Sequence, residues 1–413
     1  MEQPEKRDAG IYIASELPSI PANSGARQHI EIGMRELDRQ FSMTLFPPAS
    51  TDHSEHRAAE VDSGSSLLRR TGECAKRLRH VIPGWLPGTL RDFTTVLKGV
   101  AETGRYVQAI RRHDAMFVYE RSAYGHFAGL LAARLMRVPH FYEINGLHTQ
   151  ERKKTNSSLV LGAIDKLQKL AYRTSNGSFC IGGMQVELGI RGKTIHTTQN
   201  GIENELLTEF AQREPRPGRP IRLIFLGHIM QHHRLDILFD AVQQLGPDAQ
   251  LEITIAGREN PNVALAIPTN VPVHFTGPFK HADLPSILSH HDVGVIPFAL
   301  DFYSNMKTFA YAAAKLTVIL PRTRNFTQIF DCDSALFFEN EDSDDLVRVL
   351  KQIQMAPSEL SDIGQKAYDT VAAHHTWHRI FGRKIQVIMP LIKQFDKKRM
   401  KHPANLKNAL SVH

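Results

Sequence analysis

The sequence predicts an α/β protein with two doubly wound, Rossmann-like domains. Short apolar segments alternate with amphipathic segments along most of the chain, which is the pattern of parallel strands joined by helices. A length of 413 residues exceeds what one ordinary hydrophobic core supports. The run REPRPGRP interrupts the alternation near its middle and indicates an interdomain linker over Glu203 to Arg219.

The first half, residues 1–202, opens as strand, loop, helix and strand. Strands are predicted over Ile11 to Ser15 and Ser42 to Phe46, with a helix over Ala26 to Gln40 between them. Gly25 stands at the entry to that helix, either as a simple turn or as a position that leaves room for a ligand. A dinucleotide fingerprint would need three glycines, so this pattern is absent.

Polar residues follow a later strand of the first half, predicted over His140 to Ile144. Glu143 lies directly before an Asn-Gly pair, and His148 follows shortly after. The carboxyl ends of parallel strands are where catalytic groups collect. Glu143 and His148 are therefore the acid or base candidates of this half. Earlier in this half, one continuous helix is predicted over Thr89 to Arg112.

Glycines follow three strands of the second half directly, at Gly227, Gly257 and Gly277. A glycine at such a place lets the backbone approach a ligand closely. The loop after Gly227 carries three histidines, at positions 228, 232 and 233, and then Arg234. A metal site would need carboxylates from elsewhere. Gly227 and Arg234 fit a loop that grips a pyrophosphate better.

The stretch from Phe298 to Pro321 combines an aromatic loop, a predicted helix over Met306 to Lys315 and an apolar strand. Lys307 lies in the first turn of that helix, where a cation opposes the helix dipole. A phosphate group bound at the helix N-terminus would explain this placement. The alternative is a lysine that only extends into solvent.

The charge pattern suggests a polyanionic partner. The net charge is +7, and no zinc-finger or RNP motif points to nucleic acid. A loop over residues 49–88 combines basic side chains with Trp85 and Leu86, a composition typical of a membrane interface and also of an ordinary packed helix. The basic side chains expected to contact an anionic membrane are Arg69, Arg70, Lys76, Arg77 and Arg79. A second basic segment is the tail, residues 397–413.

The chain lacks an apolar run of the roughly 20 residues that span a bilayer, and its N-terminus lacks the apolar core of a signal peptide. The three cysteines have no metal-ligand spacing. We therefore expect a cytoplasmic protein, with peripheral contact on the inner membrane face.

Several segments, in order and spacing, resemble the GT-B glycosyltransferases, and specifically the large glycosyltransferase family 4. They include FVYERSAYGHFAGLLAARLMRVPHFYEING, TTQNGIEN, IRLIFLGHIMQHHRLDILFDA, LEITIAGREN and YSNMKTFAYAAAKLTVI. The resemblance implies an acceptor-side domain over residues 1–202 and a donor domain over 203–375, with a cleft between them. A helix over 376–396 would cross back to the first domain.

The implied activity is transfer of a sugar from a nucleotide-sugar donor to a hydroxyl of a lipid-linked or saccharide acceptor, in cell-surface or exopolysaccharide assembly. No tightly bound cofactor and no metal would be required. By the resemblance, Arg234 and Lys307 hold the donor pyrophosphate, and His228 stands where many members place arginine. The remaining donor-side positions are Gly227, Gly257, Gly277, Phe279, Asn305 and Tyr311.

The chain departs from the family at its ribose-binding motif. Tyr303 and Ala310 occupy the positions of two glutamates, and Lys315 and Thr317 replace a glycine and a proline. Three interpretations follow: a divergent active transferase, an inverting enzyme like the xanthan-assembly glucuronosyltransferase with Glu143 or His148 as base, or an inactive scaffold. A retaining reaction is favoured, because the departing diphosphate itself can accept the proton.

Overall fold

The structure is a computed structural model that describes residues 8–20, 24–47, 85–155, 157–214 and 218–401. Two parallel six-stranded sheets with flanking helices form two compact units. The first unit holds the described residues up to Cys180 together with Met184–His196 and the chain from Ile385 onward, and the second holds Ile181–Gly183 and Thr197–Lys384. The predicted α/β, doubly wound fold is confirmed.

The first unit has the strand order β2-β1-β3-β4-β5-β6, as expected for a doubly wound sheet. Its strands are β1 (Ala9–Ile13), β2 (Ser42–Phe46), β3 (Phe117–Arg121), β4 (His140–Ile144), β5 (Gly177–Ile181) and β6 (Ile195–Thr198). Its helices are α1 (Gly25–Asp38), α2 (Trp85–Ala101), α3 (Thr103–Arg112), α4 (Ala128–Met136), α5 (His148–Thr155), α6 (Leu161–Thr174) and α7 (Met184–Leu188). Strands β3, β4 and β5 are buried along their whole length, because helices cover both faces of a parallel sheet.

The second unit repeats this architecture with the order β12-β11-β10-β7-β8-β9. Its strands are β7 (Ile221–Leu226), β8 (Leu251–Ala256), β9 (Val273–Gly277), β10 (Val293–Val295), β11 (Thr317–Pro321) and β12 (Leu336–Phe338). Its helices are α8 (Asn204–Phe210), α9 (Leu235–Gln244), α10 (Leu284–Ser289), α11 (Met306–Ala313), α12 (Arg324–Ile329), α13 (Ser343–Met355), α14 (Leu360–His374) and α15 (Trp377–Lys401), the last of which continues into the first unit.

Three helical segments differ from the sequence-based expectation. The helix expected over Thr89 to Arg112 is two helices, α2 and α3, which break at Glu102. The expected linker contains α8, because Leu206, Leu207 and Phe210 are buried in the core of the second unit. The helix expected over 376–396 is α15, Trp377–Lys401, which ends later than expected. Thr376, directly before it, forms a parallel bridge with Ile202. The proposed domain boundaries themselves stay a prediction.

Within the part of the chain that the structure describes, each helix is too short or too polar to cross a bilayer. The predicted basic contact at residues 69–79 and the end of the basic tail, residues 402–413, lie outside the described residues.

Helix α14 packs closely on the start of β11 through Gly364. A side-chain carbon at this position would overlap the Lys315 carbonyl oxygen and crowd the backbone of Leu316. The Thr317 hydroxyl donates to the Leu360 carbonyl at 2.6 Å and fixes the same contact. Because the obstructing atoms are backbone, the structure has little freedom to relax around an added methyl group.

We predict that Gly364→Ala destabilises the chain by about 1–3 kcal/mol through overpacking. The matched control is Gly382→Ala, also within a helix, because the space around Gly382 is open. There the loss of backbone entropy in the unfolded chain should stabilise the protein by up to about 1 kcal/mol. Denaturant titration of both variants measures this difference, and equal effects of the two would contradict the close packing.

Candidate functional site

The strongest candidate site lies at the carboxyl ends of the strands of the second unit. Gly227 follows β7, Gly257 follows β8, and Gly277 ends β9. Strand β10 leads through a loop to α11, which begins at Met306. This is the edge of a parallel sheet where ligands bind, and the first turn of α11 presents backbone N–H groups that the helix itself leaves unbonded.

Lys307 is the central charge of this site. Its ammonium Nζ lies 4.0 Å from the centroid of the Phe225 ring, and a side-chain carbon at Gly227 would lie 3.0 Å from the same nitrogen. Among the described residues, no carboxylate forms an ion pair with Lys307. Burial lowers its pKa from 10.5 to about 7. A desolvated cation without a carboxylate partner is stabilised by an anionic ligand.

Histidines surround this lysine. The Nδ1 of His233 donates to the His228 carbonyl at 2.7 Å, and the ring centroids of His232 and His233 lie 4.4 Å apart. The pKa of His233 is lowered to about 3, first by burial and then by the Lys307 charge. His233 and Lys307 both face the bare Cα of Gly227. Burial therefore disfavours the protonated forms of His233 and Lys307, and a bound anion would favour them.

Arg234 forms ion pairs with two carboxylates, although the resemblance implies that it holds a pyrophosphate together with Lys307. Its backbone is left-handed at φ +48°, and its guanidinium pairs with Asp236 at 2.9 Å and with Glu341 at 3.4 Å. Arg234 and Asp236 line a cavity of about 200 Å³. The other residues that line it include Ile229, Met230, Leu235, Val263 and Leu265. The structure thus places His233, which the sequence interpretation assigned no role, next to Lys307, and gives the Arg234 charge two carboxylate partners.

The three glycines serve different purposes. A side-chain carbon at Gly257 would overlap the Gly227 carbonyl, so Gly257 lets two loops pack together. Gly227, at φ +128°, faces the lysine, and Gly277, at φ +73°, has open space at the side-chain position. Gly227 and Gly277 therefore remain the two positions where a ligand can approach the backbone.

Tyr311 has a packing role rather than the predicted ligand contact. It is fully buried, its ring lies against Gly294, and its hydroxyl accepts the Leu226 N–H at 2.7 Å. Ala310, the position of the missing glutamate, is buried in the same core. These two side chains face the protein interior, so a ribose contact from either is excluded.

The other positions assigned to ligand binding would leave room for a ligand, but their contacts give no evidence for one. His228 is exposed, and Asn305 occupies the N-cap position of α11 without a side-chain cap bond. Phe279 is partly buried against the core of the second unit. Gly25 begins α1 in the first unit, where its side-chain position is open.

Lys315 explains one departure from the family pattern. Its backbone is left-handed at φ +55°, a conformation that favours glycine. The Nζ of Lys315 donates to the Ala211 carbonyl at 2.7 Å and to the Arg213 carbonyl at 3.0 Å. The lysine therefore caps the chain after α8, and these two bonds offset the strain of its backbone.

In the first unit, Glu143 is buried and fully engaged. Its carboxylate accepts the Tyr119 hydroxyl at 2.6 Å and the Arg121 guanidinium at 3.4 Å, and the Nδ1 of His29 lies 3.3 Å away. The carboxylate is fully buried, so its oxygens are closed to solvent and to a substrate hydroxyl. Glu143 therefore holds Arg121 in place, and the predicted role as an open base is not supported by this geometry.

His148 is the more open of the two acid or base candidates. It begins α5 and is half-buried, and its Nε2 has no hydrogen-bond partner among the described residues. Burial and the Arg121 charge lower its pKa to about 4, which keeps the imidazole neutral at pH 7. A neutral imidazole with an unbonded nitrogen accepts a proton or a substrate hydroxyl.

Metal ligation has no support in the described part of the chain, where no group of three or more His, Cys, Asp or Glu side chains is arranged to hold an ion. The sequence does contain two Asp-x-Asp triplets, at residues 331–333 and 342–344. The structure uses their first members locally, because Asp331 accepts the Ser334 hydroxyl at 2.7 Å and Asp342 caps α13.

Known proteins match this chain in two ways. Residues 234–384 match a family model described as glycosyl transferase-like. No curated protein matches the sequence. Among solved structures, sucrose-phosphate synthase from Thermosynechococcus elongatus superimposes with a TM-score of 0.65 at 14% identity, covering 94% of this chain and 100% of that one.

Two further structures cover the same share of each chain, 94% and 100%. A glycosyltransferase from Rickettsia africae has a TM-score of 0.63 at 11% identity. HepE of Anabaena, solved in complex with UDP, has a TM-score of 0.60 at 12% identity. At these identities the likeness establishes the fold of the chain.

We predict that binding of a diphosphate diester at this site weakens as the pH rises above about 7. Only the protonated Lys307 attracts the diphosphate, and its pKa near 7 means that the free site loses this charge between pH 7 and 9. The affinity should fall by up to about tenfold per pH unit over that range. Isothermal titration calorimetry from pH 6.5 to 9 measures the slope.

The matched control is Lys307→Arg, because arginine stays protonated throughout this range. Its affinity should vary little with pH, whatever its absolute value. A wild-type affinity that is constant from pH 6.5 to 9 would show that the Lys307 ammonium does not contact the diphosphate.

Proposed function

We propose that this chain, a glycosyltransferase of the GT-B type by its fold and its matching C-terminal region, transfers a sugar from a nucleotide-sugar to a hydroxyl of a lipid-linked or saccharide acceptor. The single observation that carries the proposal is the desolvated Lys307 ammonium, which lies beside Gly227 and has no ion-pair partner among the described residues. A diphosphate is the anion that fits a lysine at a helix N-terminus and an adjacent glycine loop.

The chemistry follows from where negative charge develops. As the bond between the sugar and the diphosphate breaks, charge grows on the leaving phosphate oxygen, and the Lys307 ammonium and the N–H groups at the start of α11 stabilise it. The acceptor hydroxyl loses its proton as it bonds to the sugar. In a retaining reaction the leaving diphosphate takes that proton, so a protein base is unnecessary.

A retaining reaction is favoured because Glu143 is engaged with Tyr119 and Arg121. An inverting reaction needs a base near the acceptor hydroxyl. Of the two candidates, His148 is the one left for this task, because it is neutral at pH 7 and its buried Nε2 has no hydrogen-bond partner among the described residues. If the reaction inverts, His148→Ala should abolish turnover while donor binding persists.

Uridine nucleotides are the first donors to test, since HepE has been solved with UDP and with UDP-glucose. The acceptor is proposed from the sequence: the basic side chains upstream of Trp85 favour a substrate at an anionic membrane surface, as in cell-surface or exopolysaccharide assembly. Neither a metal nor a tightly bound cofactor enters the proposed reaction.

A thermal-shift panel of nucleotides and nucleotide-sugars tests the donor site. A ligand at 100 times its dissociation constant should stabilise the fold by about 2.7 kcal/mol. Lys307→Ala removes charge-assisted bonds worth about 1.5–3 kcal/mol, so its affinity should fall roughly 10- to 100-fold. Lys351→Ala, at an exposed position on α13, is the matched control and should leave the shift unchanged.

The proposal fails if no nucleotide shifts the melting temperature of the wild-type chain. Binding that is lost equally in the Lys307 and Lys351 variants would also contradict it, because that result would indicate a general effect of surface charge. Binding without turnover on any acceptor would instead favour a scaffold that keeps the donor site.

A further inference from the structure

Helix α2 is amphipathic, but its apolar face is exposed and its small and polar residues are buried. Its apolar stripe consists of Leu86, Leu90, Phe93, Leu97 and Val100, at the spacing of one helix face. Leu90, Phe93 and Leu97 are 57%, 55% and 52% exposed, and Val100 is 44% exposed. A surface helix normally turns such a stripe toward the core, so this one requires an explanation.

The buried face of α2 is made of small and polar residues that hold the helix in this orientation. A side-chain carbon at Gly88 would overlap the Ser157 carbonyl, and one at Gly99 would lie 3.2 Å from the Gly125 carbonyl. Between them, Asp92 is buried and accepts from the Arg152 guanidinium at 3.0 Å. Rotation of the helix to bury its apolar stripe would break this ion pair and lose both close backbone contacts.

The exposed charges that α2 itself carries have one sign. Arg91 and Lys98 are exposed on α2, and Asp92, the one acidic residue in this helix, is buried and paired. Lys153, next to the arginine that pairs with Asp92, is exposed as well. Upstream of α2 the sequence adds Arg69, Arg70, Lys76, Arg77 and Arg79. An apolar stripe flanked by cations is complementary to a surface that is anionic outside and apolar beneath.

We propose that α2 is the membrane-contacting element of this protein and lies in the plane of an anionic bilayer. Its leucines and phenylalanine enter the boundary between headgroups and acyl chains, and Arg91 and Lys98 contact the anionic headgroups. This inference extends the proposed function, because it places the first unit against the surface that would carry a lipid-linked acceptor, but it stands on α2 alone.

Cosedimentation of the full-length chain with vesicles tests the proposal. The wild-type chain should bind vesicles of phosphatidylcholine with phosphatidylglycerol, and bind phosphatidylcholine alone more weakly, since the cations add to the affinity. Phe93→Glu with Leu97→Glu should reduce binding by more than about tenfold, because two charges then oppose insertion. The matched control is Ile267→Glu with Met355→Glu, two apolar side chains that are 50% and 83% exposed in the second unit.

Three outcomes would overturn the inference. The wild-type chain does not bind the anionic vesicles, or the Phe93/Leu97 variant binds them as well as the Ile267/Met355 control does. In the third, neither the wild-type chain nor the variant binds vesicles, and the stripe is covered by protein instead. The Phe93/Leu97 variant then loses a dimer that light scattering detects in the wild type, or melts several degrees below the control.

A nucleotide thermal shift on the same samples separates this inference from the proposed function. The Phe93/Leu97 variant should keep the wild-type shift with a bound nucleotide, because α2 and the donor residues belong to different units. Vesicle binding without any nucleotide binding would leave the membrane inference standing and remove the transferase.

Discussion

The candidate site at the carboxyl ends of the second unit's strands is governed by one physical constraint. The Lys307 ammonium is removed from water, which costs free energy, and no carboxylate among the described residues pairs with it. Burial lowers the pKa of this ammonium to about 7, and two of its neighbours, the Phe225 ring and the bare Cα of Gly227, carry no negative charge. The surrounding features permit this arrangement: α11 starts at the sheet edge, and Gly257 lets the neighbouring loops close behind Gly227. The site is therefore less stable empty than it would be with an anion bound.

In the first unit, by contrast, the buried charges have partners of opposite charge close by. Glu120 lies between His126 at 2.9 Å and His140 at 2.7 Å, and Glu143 is paired with Arg121. Burial alone would lower the pKa of His126, but its bonds to the Glu120 and Glu102 carboxylates raise it to about 9. Buried charges with near partners hold the strands together and leave little capacity for a ligand. This contrast is the physical reason for placing the donor at Lys307.

The sequence could predict the fold from strand and helix periodicity. It also singled out Lys307, because a cation in a helix's first turn is a local pattern. It could not show that His233 faces Gly227 together with Lys307, or that Arg234 pairs with Asp236 and Glu341, since these contacts depend on the folded loop. Nor could it show that Glu143 and Tyr311 are closed to solvent, because burial depends on contacts distant in sequence. For the same reason, the sequence could not predict that the apolar face of α2 is exposed. The orientation of α2 depends on the packing of Gly88 against Ser157 and of Gly99 against Gly125.

A crystal structure of the chain soaked with UDP tests the central claim most directly. The account predicts diphosphate oxygens within about 3.2 Å of the Lys307 Nζ, with Arg234 still paired to Asp236. A diphosphate held by the Arg234 guanidinium, with Lys307 out of reach, would contradict it. That result would leave Arg234 as the only one of the two expected cations at the diphosphate, and it would require another explanation for the unpaired lysine.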